Sequence, residues 1–238
     1  MKERCRLILD KTGPLYFDEF DKVGYIILNN PPENRMTIRF FNDLQTIVSS
    51  LADRRDLTGI IICSNGRHFS SGAALPELLT ILEDAQKTGA ESKHRLFTDA
   101  NQECFRMLSS LPVPVVAVLK GLCAGSAYEL ALCADIRIAE ERTTLGLPEV
   151  QYDVIAGCGG TVRLTKLIGA ASALDLLLSG QLLSSDDAYA LGLVDMVVPR
   201  KRGVLEAETL LNSGAISLRA KANLSDAVSQ IVNNGTLQ

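Results

Sequence analysis

The stretch A-V-L-K-G-L-C-A-G-S-A-Y-E-L-A-L-C-A-D (Ala117 to Asp135) changes character twice within nineteen residues. It begins inside an apolar run, Val113 to Leu119, that is short, Val-rich and punctuated by proline, the pattern of a buried strand. Small residues follow, and then Glu129 opens a segment with helical character. The same succession precedes it in the chain. The run Gly59 to Cys63 leads into H-F-S-S-G-A-A-L (His68 to Leu75), again small residues between a strand and the start of a helix.

Working outward, Val23 to Leu28, Asp135 to Ala139 and Val194 to Val198 read as further strands, rich in Val and Ile. Between them, Ile38, Phe41, Leu44, Ile47, Val48 and Leu51 recur at helical spacing behind Thr37 as N-cap, and Phe97, Ala100, Cys104, Met107, Leu108 and Leu111 do so again. Helices are also expected at Thr161 to Ile168, at Ala171 to Leu178 with Gly180 as a stop, and at Ser185 to Leu191. A weaker amphipathic pattern runs from Val204 to Val232. Alternating strands and helices predict an α/β fold with largely parallel pairing. The polar segment Leu79 to Lys93 reads either as a connection bordering a pocket or as a solvated helix–helix loop.

The 238 residues contain no linker-like stretch, and 47% hydrophobic composition supplies a core without staples. The six cysteines (Cys5, Cys63, Cys104, Cys123, Cys133, Cys158) show no paired spacing and read as reduced, buried thiols, with no metal site implied. Net charge is −4 with interspersed signs, so neither nucleic acid nor an anionic membrane is an expected partner. The first ten residues hold too short an apolar run for a signal segment, and no run reaches the length of a membrane span. The expectation is a cytoplasmic protein.

Two chemical features stand out. Backbone N–H groups at the two strand-to-helix turns are unpaired by the helix and can face one carbonyl oxygen, where each donor contributes about 3 kcal/mol to an oxyanion transition state. Glu129 and Glu149, the second closing L-G-L-P-E (Leu145 to Glu149), can divide acid and base work if they share a pocket. The plainer reading of either small-residue turn is tight packing. Glu129 alone reads equally as a helix-terminal carboxylate, and Glu149 alone as a polar turn residue.

These segments together resemble the enoyl-CoA hydratase/isomerase, or crotonase, family over about residues 20 to 200. The resemblance also rests on Y-I-I-L-N-N-P-P-E-N-R-M (Tyr25 to Met36), on L-G-L-P-E-V-Q-Y-D-V-I-A-G-C-G-G-T-V-R-L (Leu145 to Leu164) and on the segment Ser179 to Pro199. It implies a crotonase-like spiral of ββα units over residues 1–200, followed by a reduced helical region over 201–238. It further implies an acyl-CoA thioester whose oxygen is held by main-chain N–H groups, at the matching positions Ser71 and Ser126. Ser71, Gly72, Ala73, Ala74, Gly125 and Ser126 would then line the substrate. Glu129 as base and Glu149 as acid would add water across a 2-enoyl double bond, with no metal or redox cofactor, CoA arriving as part of the substrate. A homotrimer or a dimer of trimers is the assembly the resemblance suggests.

There are departures. Gly72, Ala73 and Ala74 stand where many members carry G-A-D, Tyr128 is bulky beside Glu129, and only 39 residues follow Pro199. Isomerisation or thioester hydrolysis on the same scaffold is an alternative outcome, as is an acyl-thioester-binding subunit without turnover. A Ser–His–Asp hydrolase would have to use His68 or His94, and His68 reads as a surface residue. The glycine spacing does not match a dinucleotide-binding turn.

Overall fold

The computed structural model describes residues 11–74, 77, 80 and 91–214, with backbone alone for 91–97. Its strands are β1 (Leu15–Phe20), β2 (Val23–Leu28), β3 (Gly59–Ser64), β4 (Val115–Leu119), β5 (Leu122–Ala124), β6 (Ile136–Glu140), β7 (Thr144–Gly146), β8 (Leu183–Ser184) and β9 (Met196–Val198). The helices are α1 (Ile38–Leu51), α2 (Glu91–Ser109), α3 (Ser126–Ala131), α4 (Gly160–Ile168), α5 (Ala170–Ser179), α6 (Ser185–Ala190) and α7 (Gly203–Asn212), with a 3₁₀ turn at Glu149–Tyr152.

The Val/Ile runs form one six-stranded sheet in the order β1-β2-β3-β4-β6-β9. Every pairing is parallel except the β1–β2 hairpin. Parallel strands covered on both faces need apolar residues at successive positions. Ile60, Ile61 and Ile62 of β3, and Val115, Val116 and Ala117 of β4, are accordingly all fully buried. Ile60, Ile62, Val115 and Ala117 face a core shared with α1 and α2. Ile61, Val116 and Val118 face the other way, against Ala207 and Leu211 of α7.

On α1, the expected cap is present: the Thr37 side chain accepts from the Phe40 amide at 3.2 Å. The helix buries Phe40, Phe41, Leu44, Ile47, Val48 and Leu51 on one face. Gly180 ends α5 in a left-handed conformation, the role read for it as a stop. The α2 helix begins earlier than its apolar pattern indicated. Of the connection expected from Leu79 to Lys93, Thr80 is helical and Glu91, Ser92 and Lys93 open α2. The rest of that connection lies outside the described residues, as do Leu75, Cys5 and the expected helical pattern beyond Gly214.

Short strands make a second layer. β5 pairs in parallel with β7, and β7 pairs antiparallel with β8. The segment Ser70 to Ala73 joins this layer through single bridges, Ser70 to Cys123 and Ala73 to Met36. Each spiral turn therefore sends one strand through the large sheet and one short segment through the second layer before its helix. Segments far apart in sequence lie side by side there.

Replacing Phe40 with Ala deletes a fully buried ring and is expected to cost about 3–5 kcal/mol. Ile38→Ala on the same helix, at a position 38% exposed, should cost under about 1 kcal/mol. Urea unfolding midpoints of the two variants against the parent measure the contrast.

Candidate active site

A cavity of about 880 Å³ opens where the second layer meets α2 and the 3₁₀ turn. Ser71, Gly72, Ala73, Gly125, Ser126, Glu129 and Glu149 all line it. Residues from three successive turns of the spiral thus reach one space. The approach is close: a Cβ on Gly72, whose φ is +94°, would stand 2.7 Å from the Ala124 carbonyl and 3.5 Å from the Ser126 nitrogen. Only glycine meets both the backbone angle and the space.

The amides of the first segment point alternately. Ser71 donates to the Glu33 carbonyl at 2.9 Å, and Ala74 donates to the Met36 carbonyl at 3.0 Å. The bridge to Met36 uses the Gly72 carbonyl and the Ala74 amide, so Ala73 turns its own N–H away from Met36. Among the described residues, that N–H has no acceptor. Ser126, the first residue of α3, likewise has an amide with no acceptor among the described residues. Its neighbour Gly125 takes the unusual angles, φ 59° and ψ −133°, so Ser126 remains helical.

Glu129 lies in the first turn of α3 and is 1% exposed. Its Oε1 accepts from the amides of Cys158 at 2.8 Å and Gly160 at 2.7 Å. These belong to the entry of α4, so the carboxylate supplies the cap that α4 lacks from its own residues. A Cβ on Gly160 would come within 2.8 Å of Glu129 Cγ, which reserves that position for glycine. Arg163 braces the loop by donating to the Cys158 carbonyl at 2.7 Å. Burial pushes the Glu129 pKa up, and the two amide bonds, with the nearby Arg163 charge, pull against that rise.

Glu149 sits differently. It opens the 3₁₀ turn behind Pro148, and its Oε2 is sealed with no hydrogen-bond partner. Its Oε1 lies close enough to Gly125 that a Cβ there would stand 3.2 Å away. Burial raises its pKa to about 7, and the Glu129 charge adds to the rise. A bond from its own backbone amide pulls against that rise, so two carboxyls share a cavity with unequal support, one held by two amides from the α4 entry and one by its own amide alone, with Oε2 left bare.

The sequence matches the model of the enoyl-CoA hydratase/isomerase family over residues 18–234. The chain belongs to that family. It is 33% identical over 192 residues to a probable enoyl-CoA hydratase of Bacillus subtilis, covering 81% of this chain and 71% of that protein. It is 38% identical over 195 residues to the fatty acid oxidation complex subunit alpha of Vibrio vulnificus, covering 80% of this chain but 26% of that longer subunit. The crystal structure of enoyl-CoA hydratase from Bacillus anthracis superposes with a TM-score of 0.80 at 28% identity, covering 93% of this chain and 84% of that one.

Against this enoyl-CoA hydratase/isomerase scaffold, the expected site residues divide clearly. Glu129, Glu149, Ser126, Gly125, Gly72, Ala73 and Ser71 converge on the cavity. Ser71 lines it but has spent its amide on Glu33, so the available donor of its segment is two residues on, at Ala73. Ala74 is packed behind the wall, its amide paired with Met36. Tyr128 is a core residue, 1% exposed, with its hydroxyl donating to the Leu193 carbonyl at 3.3 Å. His68 is a brace and not a surface group: its Nδ1 accepts from the Leu122 amide at 3.0 Å. Cys104, Cys123, Cys133 and Cys158 are free and buried, and burial raises their thiol pKa values. Among the described residues, no cluster of His, Cys, Asp and Glu suits a metal ion, and no helix is long and apolar enough to cross a membrane.

Sequence reasoning missed the anchoring amides of Cys158 and Gly160, whose only signal was a run of glycines closing on a buried acid. It also missed Asn101 of α2, a 6% exposed polar residue that lines the cavity.

The Glu149 environment has a consequence for stability. The folded protein keeps this proton up to about pH 7, whereas an ordinary glutamate releases it near 4.5. Folding is unpenalised below the lower value and loses stability as pH rises through the upper one. Glu149→Gln should therefore melt higher than the parent at pH 8, with the gap closing as pH falls toward 4.5. Thermal scans across that range test the sign.

Proposed function

We propose that the chain hydrates the double bond of a 2-enoyl-CoA thioester. The observation that carries this reading is the unequal carboxyl pair, Glu129 and Glu149, in one cavity with two amides that have no acceptor among the described residues. Environments that separate two carboxyls assign their roles: two amide bonds and the Arg163 charge hold back the rise that burial imposes on Glu129, and Glu149, with less support, keeps its proton up to about pH 7.

In this mechanism the thioester oxygen accepts from the N–H groups of Ala73 and Ser126. Glu129 takes a proton from water as the oxygen bonds to the β-carbon. The displaced π electrons move toward the thioester oxygen, where the two amides stabilise the enolate. Glu149 then delivers its proton to the α-carbon. One carboxyl has gained a proton and the other has lost one, and exchange with solvent resets them. Serine at position 126 is compatible with this role because the donor is main-chain and the strained angles fall on Gly125. Similarity to a fatty acid oxidation complex subunit of Vibrio vulnificus and to a probable enoyl-CoA hydratase of Bacillus subtilis supports a fatty acyl chain on CoA.

With crotonyl-CoA, the parent protein should bleach the conjugated enoyl absorbance. Glu129→Gln and Glu149→Gln should each lower kcat by roughly 10²- to 10⁴-fold with KM little changed. Binding without bleaching by the parent would make the chain an acyl-thioester binder. Release of free CoA would make it a hydrolase, and movement of the double bond without a hydroxylated product would make it an isomerase. Turnover indifferent to both substitutions would remove the acid/base assignment.

A further inference from the structure

We propose that Asn101 selects acyl thioesters whose acyl group carries a neutral hydrogen-bonding oxygen, a hydroxyl or a carbonyl, beyond the β-carbon; this rests on the hydratase reading of the same cavity. Asn101 occupies the buried stripe of α2, three, four and seven residues before Cys104, Phe105 and Leu108, all of which are core. A carboxamide at such a position ordinarily finds protein partners. This one makes no hydrogen bond to any described residue, and the one sealed, unpaired side-chain atom among those residues is Glu149 Oε2. The Asn101 amide is therefore not sealed in the core, and it lines the cavity.

The wall that carries it adjoins the loop holding Glu129. Gln102 donates to the Gly157 carbonyl at 2.8 Å, and a Cβ on Gly157 would lie 3.9 Å from the Thr98 methyl. Cys158, the next residue, gives its amide to Glu129. Glu129 addresses the β-carbon in the proposed reaction, so α2 faces the acyl group past that carbon. A plain alkyl chain laid there would strip water from the carboxamide and leave both its ends unpaired, which disfavours that ligand. A hydroxyl donates to the carboxamide oxygen and accepts from its NH₂, and a carbonyl accepts from the NH₂. An anionic substituent fits less well, because Glu129, Glu149 and Asp153 share the cavity and Arg35, which also lines it, is ion-paired with Glu33.

The test uses matched saturated CoA thioesters of four to eight carbons, unsubstituted or bearing a hydroxyl or oxo group beyond the β-carbon, with binding measured by titration calorimetry. The parent should bind the substituted member of at least one pair about tenfold more tightly. Asn101→Leu should bring that ratio to about one, and Asn101→Met repeats the comparison if the leucine variant does not fold. No preference at any length in the parent overturns the inference regardless of the variants. So does a preference that survives Asn101→Leu or Asn101→Met. Saturated chains cannot be hydrated, so a parent preference that the Asn101 substitution abolishes, with no crotonyl-CoA turnover, would sink the hydratase reading alone, and failure to bind any thioester would sink both.

Discussion

The site depends on how closely three short backbone segments approach in the second layer. Gly72 lies so near the Ala124 carbonyl that a side chain would clash, and Gly125, at φ +59°, lies against the Glu149 carboxyl where a side chain would be strained and tightly packed. That approach does more than save space. It sets the pairing of Ser70 with Cys123 and Ala73 with Met36, and the pairing decides which amides are consumed and which are left. A donor supplied this way is indifferent to the side chain it belongs to, so serine at position 126 keeps the N–H that a smaller residue would present.

Glu129 ties this layer to the next turn of the chain. Its carboxylate closes the entry of α4, and α4 in return supplies the amides that offset part of its burial. Removing either partner leaves an unpaired buried group, so the contact is structural and electrostatic at once. Glu149 has less compensation, a bond from its own backbone amide and none to Oε2 among the described residues. An unsupported, sealed oxygen lowers stability at neutral pH, and a protein that carries one is holding a group poised to give up a proton.

The sequence exposed the large sheet well because strands buried on both faces must be continuous in Val and Ile, as in β3 and β4. Its edge was harder to read. β1 is a six-residue strand whose last two positions are exposed, and its turn to β2 uses Asp21 and Lys22 at φ 48° and 63° where glycine or asparagine would have signalled a hairpin. The strands β5, β7 and β8 have two or three residues each and are held by neighbours from other turns, so no local pattern announces them. The two glutamates and both small-residue segments were visible as chemistry. The sequence pattern points to the Ser71 amide, whereas the fold leaves the Ala73 amide without an acceptor among the described residues, because the direction of an amide follows strand register, and register here is set by Glu33 and Met36, far back in the chain.

The same geometry separates two kinds of residue. The groups assigned to the reaction are main-chain amides, Glu129 tied to the entry of α4, and Glu149 beside Gly125, and loss of the Glu129 bonds disturbs the spiral itself. The residues of α2 that face the cavity are under a different constraint. Cys104, Phe105 and Leu108 fill the core whatever ligand is present, whereas Asn101, on the same stripe, fills no hydrogen-bonding need of the protein among the described residues. A polar group that opens on the cavity is served by water while the site is empty and becomes a cost when a plain alkyl ligand displaces that water. The scaffold tolerates such a group midway along α2 because β3, β4 and α1 supply much of the core, which leaves this wall free to vary with the acyl group while the amides and the glutamates stay fixed.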